Sequence, residues 1–105
     1  MGCAATKDYV QPTCVPRAIY QAVWVAIEMK VPTRIVISGT ANPRIDHAHA
    51  EAFINGRWVC LTQYSDTVFL TDSVDVAAEY LPLVPYKYLS VSEIVGELKA
   101  SGRIK

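Results

Sequence analysis

The dipeptide Asn55-Gly56 stands between two β-prone stretches, Ile45 to Ile54 and Arg57 to Thr62. Both residue types tolerate the positive φ that the two central positions of a type I′ turn require. That turn matches the twist of an antiparallel pair. The spacing predicts a two-residue β-hairpin, and the rest of the chain has to fold around it.

A helix is predicted over Val15 to Met29, where Val15, Ala18, Ile19, Ala22, Val23, Ala26 and Met29 recur at helical spacing. Pro16 suits its first turn, because the missing N–H removes no bond there. Val25 and Ile27 widen the apolar surface until only a narrow stripe at Arg17, Gln21 and Glu28 stays polar. A helix so apolar is expected to be wrapped on most sides. Trp24 falls on the polar stripe, to be covered by the C-terminal segment or a partner. Pro32 ends the helical region.

Arg34 to Gly39 is rich in β-branched residues and reads as a strand; Thr40 to Arg44, with Asn42-Pro43, is a loop. Thr67 to Leu70 suggests a fourth strand, and Ser73 to Tyr80 a short helix stopped before Pro82. Tyr86 to Leu89 is ambiguous. Ser90 and Glu93 have capping-box spacing, Val91, Ile94, Val95 and Leu98 line one helical face, and Gly102 follows. Residues 1–13 show no clear period. Without repeats or linkers, the pieces amount to one α+β domain over residues 1–105. In it the first helix packs on an antiparallel sheet and a second helix closes the C-terminus.

Composition narrows the function classes. Ten acidic and ten basic residues give a net charge of zero, so nothing points to nucleic acid. No apolar run approaches the ~20 residues of a membrane span. Cys3, Cys14 and Cys60 are an odd number without C-x-x-C spacing, which suits a reducing, cytoplasmic compartment and argues against a disulfide framework or zinc knuckle. Met1-Gly2-Cys3 fits a lipidation pattern. It is read as coincidence at a soluble terminus.

Cys14 stands at the helix start, where the dipole and free N–H groups favour a thiolate. A histidine on a distant strand, His47, would complete a thiol nucleophile and its base. Cys60 alternates with Trp58 on a strand and reads as core. His47, His49 and Glu51 point to one face of a strand and invite a metal. Three ligands on one strand spread over ~13 Å, which makes a shared ion awkward. No metal and no other cofactor is therefore expected.

Cys14-Val15-Pro16-Arg17-Ala18 and Val31-Pro32-Thr33-Arg34-Ile35-Val36 resemble the Cys-bearing helix and following strand of transglutaminase-like cysteine peptidases. His47-Ala48-His49-Ala50-Glu51 with Asn55-Gly56-Arg57-Trp58-Val59 resembles that superfamily's histidine hairpin. Cys-x-x-Arg-Ala is closest to the leader peptidases of lasso-peptide biosynthesis. The match spans roughly positions 14 to 62. It implies a transglutaminase-like, papain-like core. In that register Cys14 is the nucleophile, His47 the base and Glu51 a structural glutamate. His49 holds a position usually aromatic, and a slip of one inward-facing pair makes it the base. The expected aspartate falls on Thr62, followed by Gln63, neither of them charged; Asp66 could reach back instead. The Cys14 N–H with Gln11 or Tyr9 would supply an oxyanion hole.

Two functions follow from the resemblance. One is a thiol peptidase or acyltransferase, acting through a thioester on Cys14 on a peptide or protein substrate, such as a leader sequence, with an accessory protein possible. The other is a catalytically inactive peptide- or protein-binding module that has lost the carboxylate.

Overall fold

The computed structural model describes residues 4–6 and 14–102. Helix α1 runs Cys14–Met29. Strand β1 is Ala4–Thr6, β2 Thr33–Gly39, β3 Ile45–Ile54, β4 Arg57–Tyr64, β5 Thr67–Thr71 and β6 Val84–Leu89; helix α2 is Val91–Ala100. The strands form one antiparallel sheet of order β5-β4-β3-β2-β6, with β1 paired to β3 off that path. The expected α+β layout is present.

The Asn55-Gly56 turn has the positive φ values its residues allow, 53° and 81°. It sets Ile54 opposite Arg57 and, three pairs on, Glu51 opposite Cys60. Beside the start of β3, β1 takes the place of β4, with Ala4 opposite His47. On the other flank β2 pairs along the strand, from Thr33 opposite Ala52 to Gly39 opposite Asp46.

Opposed residues of paired strands share a face of the sheet, and alternate residues of one strand share it too. One face of β2 and β3 therefore carries Ile35, Ile37, Ala48, Ala50 and Ala52. These pack with Ala18, Ala22 and Val25 of α1 and with Ile94 of α2. Alanine at three alternate positions of β3 and at two of α1 lets the helix lie close to the sheet. The other face carries Arg34, Val36, Ser38, His47, His49 and Glu51. Of these, Val36, Ser38, His47 and His49 are also buried.

The outer elements depart from expectation in four places. Residues 4–6, inside the segment without a period, form β1 through pairing alone. The helix predicted over Ser73 to Tyr80 is only a 3-10 turn at Ala78–Tyr80. None of its residues is buried, and a short segment with no face to bury gains little from helix formation. The ambiguous Tyr86 to Leu89 lies in β6, a sheet edge that pairs with β2 across an irregularity at Ile37/Ser38. Helix α1 is covered along one face, not wrapped: Tyr20, Val23 and Ile27 are exposed, Ile27 at 66%. Gln21, placed on its polar stripe, is buried instead, and Trp24 packs partly buried against the core.

Helix α2 has the expected cap: the Ser90 hydroxyl accepts from the Glu93 N–H (3.1 Å) and the Glu93 carboxylate from the Ser90 N–H (2.8 Å). No described helix is long and apolar enough to cross a membrane.

Candidate functional site

Cys14 is the first residue of α1 and fully buried. It lines a cavity of about 410 Å³, to which His47 also contributes. Ile37, Leu89 and Ile94 make its wall apolar. Its rim is polar: the Tyr86 hydroxyl donates to Asp46 (2.8 Å), and the Lys87 ammonium donates to Glu97 (2.9 Å). Its volume and apolar wall fall in the range of small-ligand clefts.

The His47 ring stacks on the His49 ring, centroids 5.7 Å apart and planes 24° apart. Both imidazoles thus stand on the face of β3 that α1 does not cover, whereas Ala48 between them belongs to the core under α1. Cys14 and His47 both border the cavity, but the His47 side chain belongs to the face of β3 away from α1.

A second group has formed around Glu51 on the His47 face. Its Oε1 accepts from Arg34, at 2.8 Å from Nε, and pairs with the terminal guanidinium nitrogen at 2.7 Å. Its Oε2 lies 2.9 Å from His49 Nε2 and 3.9 Å from the Cys60 thiol. The Arg34 guanidinium is also sandwiched between Trp58 and Tyr88, 4.0 and 4.5 Å from their ring centres. This clamp fixes the cation over the carboxylate. The clamp joins the two stretches that carried the family likeness, across paired strands.

Burial works to raise the Glu51 pKa. Hydrogen bonds from His49 and Arg34, with their charges, outweigh it and hold the carboxyl below its ordinary value. Cys60 goes the other way, pushed up to about 11 by burial and then by the Glu51 charge. It is half-buried beside Glu51, not a core residue under α1 as its sequence context suggested.

The remaining candidates are dispersed. Thr62 borders a small cleft with His49, Arg17 and Gln21. Gln63 turns away, donating to the Ser65 carbonyl (2.9 Å). Asp66 is exposed in the β4–β5 turn. Gln11, Tyr9 and Cys3 lie outside the described residues.

Sequence reasoning missed Cys60 as a neighbour of His49 and Glu51. The signal was present, since a two-residue turn at Asn55-Gly56 puts residue 60 opposite residue 51. No protein-family model, curated protein or solved structure matches the chain. The likeness to transglutaminase-like peptidases therefore rests on the quoted residues alone.

Proposed function

We propose that this chain is a cysteine-dependent acyl-transfer enzyme of transglutaminase-like type, acting on a peptide amide. One observation carries the reading: Cys14 opens α1 at the wall of a cavity that His47 also lines. The thiolate adds to the substrate carbonyl carbon. The C–N bond then breaks, and the imidazolium of His47 protonates the leaving amine. Water, or a second amine, attacks the Cys14 thioester and releases the acid or a new amide with the thiol restored. The apolar wall would hold a side chain next to the scissile bond. His47 stands on the face of β3 away from α1, so to act as base toward Cys14 its imidazole has to change faces, which takes a one-residue shift in the register of β3.

The orientation of the histidines favours a second reading, a binding module. His47 and His49 face away from α1, the carboxylate bonded to His49 is Glu51, and Asp66 is exposed. Such a module would keep the cavity for a peptide side chain without turnover.

Hydrolysis of a reactive ester and of peptide substrates separates the two. For the enzyme, Cys14→Ala and His47→Ala each abolish turnover with unchanged circular dichroism, and the double variant loses no more than either single one. Loss in His49→Ala with His47→Ala spared would transfer the base role to His49. Full activity in Cys14→Ala would overturn the enzyme reading. Peptide binding without turnover in the native chain would establish the module.

A further inference from the structure

On the far side of β3 from α1, three different donor types converge from two strands. His49 Nε2, a Glu51 carboxylate oxygen and Cys60 Sγ all lie within 4.8 Å of one another. We propose that they form a binding site for a divalent transition-metal ion of the zinc class. The site lies apart from Cys14 and rests on the geometry of these three residues, not on the acyl-transfer reading, although a metal on His49 would exclude it as the base.

The donor set fits that class of ion. Imidazole, carboxylate and thiolate are the ligands zinc takes, at 2.0–2.3 Å, and tetrahedral angles then space donors by roughly 3.3–3.6 Å. Oε2 of Glu51 is now 2.9 Å from the imidazole and 3.9 Å from the sulfur, so the three need only small side-chain rotations to enclose an ion. Three ligands on β3 alone would be too far apart. The hairpin register solves this by replacing His47 with Cys60, which faces Glu51 directly across the strands.

The charges fit as well. Arg34 engages Oε1 and leaves Oε2 turned toward His49 and Cys60. A carboxylate and a thiolate against one guanidinium leave a local charge of −1 for a dication to meet. Arg34 then has the outer position that orients a ligating carboxylate. Loading moves two protons. Cys60 loses its S–H proton to solvent as the S–metal bond forms. The His49 ring proton passes from Nε2 to Nδ1, and Nε2 turns its lone pair to the ion. Nδ1 is buried with no partner among the described residues, so nothing holds its N–H. The affinity should accordingly fall below that of closed sites with four protein ligands.

Cobalt(II) serves as a spectroscopic probe, added to the reduced full-length chain. One equivalent should give the intense visible bands of a tetrahedral ion and a near-ultraviolet thiolate-to-cobalt band, and zinc should bleach both. Cys60→Ala should remove the thiolate band, and His49→Gln should weaken binding by more than the ~10–100-fold typical of lost outer partners. Cys3→Ser and Cys14→Ala should leave the spectrum as it is. Circular dichroism identifies a variant that has not folded; Cys60→Ser then replaces Cys60→Ala, and His49→Ala replaces His49→Gln. An octahedral spectrum without a thiolate band in the native chain would overturn the proposal. A thiolate band that persists without Cys60 would do the same.

Discussion

The two faces of β3 are built from the same ten residues yet hold the sheet in different ways. Toward α1, Ala48, Ala50 and Ala52 form a small-residue floor, and the helix fills it without a charged group. Away from α1, His47 stacks on His49, and Glu51 is tied to His49, Arg34 and Cys60 by hydrogen bonds and ion pairs. The first face is held by apolar burial, which is non-directional and scales with area. The second is held by directional contacts, which place donor atoms accurately and contribute less net stability. Position is what chemistry needs, and the polar face has it.

The comparison can be broken most forcefully at two neighbours on β2. Ile35, fully buried, faces α1, while Val36, also buried, stands next to the histidines. Ile35→Ala should cost ~2–5 kcal/mol, since it leaves a cavity under a close-packed helix. Val36→Ala removes fewer atoms and should stay within the ~1.5–3 kcal/mol of one buried aliphatic side chain. Urea unfolding of both variants measures the difference. Equal losses would mean that the polar side is as tightly packed as the helical one.

The thiols sharpen the contrast next. Cys60 is held at about 11, so at neutral pH it carries far less thiolate than an ordinary cysteine near 8.5. Its remaining thiolate is intrinsically more nucleophilic, which recovers part of the loss. With a Brønsted coefficient of ~0.4–0.5, the net slowing against a free thiol is roughly 20-fold. Iodoacetamide labelling followed by peptide mass analysis should find Cys60 slow in the folded chain and fast in urea. In Glu51→Gln the folded rate should rise, because the carboxylate charge is one of the groups holding the proton on sulfur. An unchanged folded rate would assign the whole shift to burial.

Much of this architecture could be read in the chain before any coordinates. The Asn55-Gly56 turn, the helical period after Cys14 and the Ser90/Glu93 cap are local signals, and each stands where it was expected. What could not be read depends on contacts between distant segments. Ala4–Thr6 has no strand signal and is ordered by β3. Gln21 looked like a solvent residue and is buried. The apolar Val23 and Ile27 looked like core and are exposed, because periodicity reports a helix without saying how many neighbours it has. For the candidate site, Cys14 at the helix start was legible from Pro16 and the period. The clamp on Glu51 was not, since it needs four strands, β2, β3, β4 and β6, in register.

The smallest effect lies in the Glu51 carboxylate itself. In the folded chain, hydrogen bonds from His49 and Arg34 hold its pKa below the ordinary value of 4.5. A carboxyl with a depressed folded pKa stabilises the fold in its ionised form. That contribution is complete above the unfolded pKa and disappears as pH falls through the folded one. Near neutral pH, Glu51→Gln should therefore cost about 1.5 kcal/mol, the low end for hydrogen bonds to a charged group. Gln keeps the shape and can still accept from Arg34, so the loss should stay near that end. On acidification the native chain loses this advantage and the variant does not, so their unfolding free energies should converge below the folded pKa. Thermal or urea unfolding from pH 7 down to pH 3, with a chelator present, follows the gap directly. A gap that stays constant over that range would mean that the carboxylate is not held by its charge. The polar face would then owe its stability to packing, as the helical face does, and the contrast between the two would disappear.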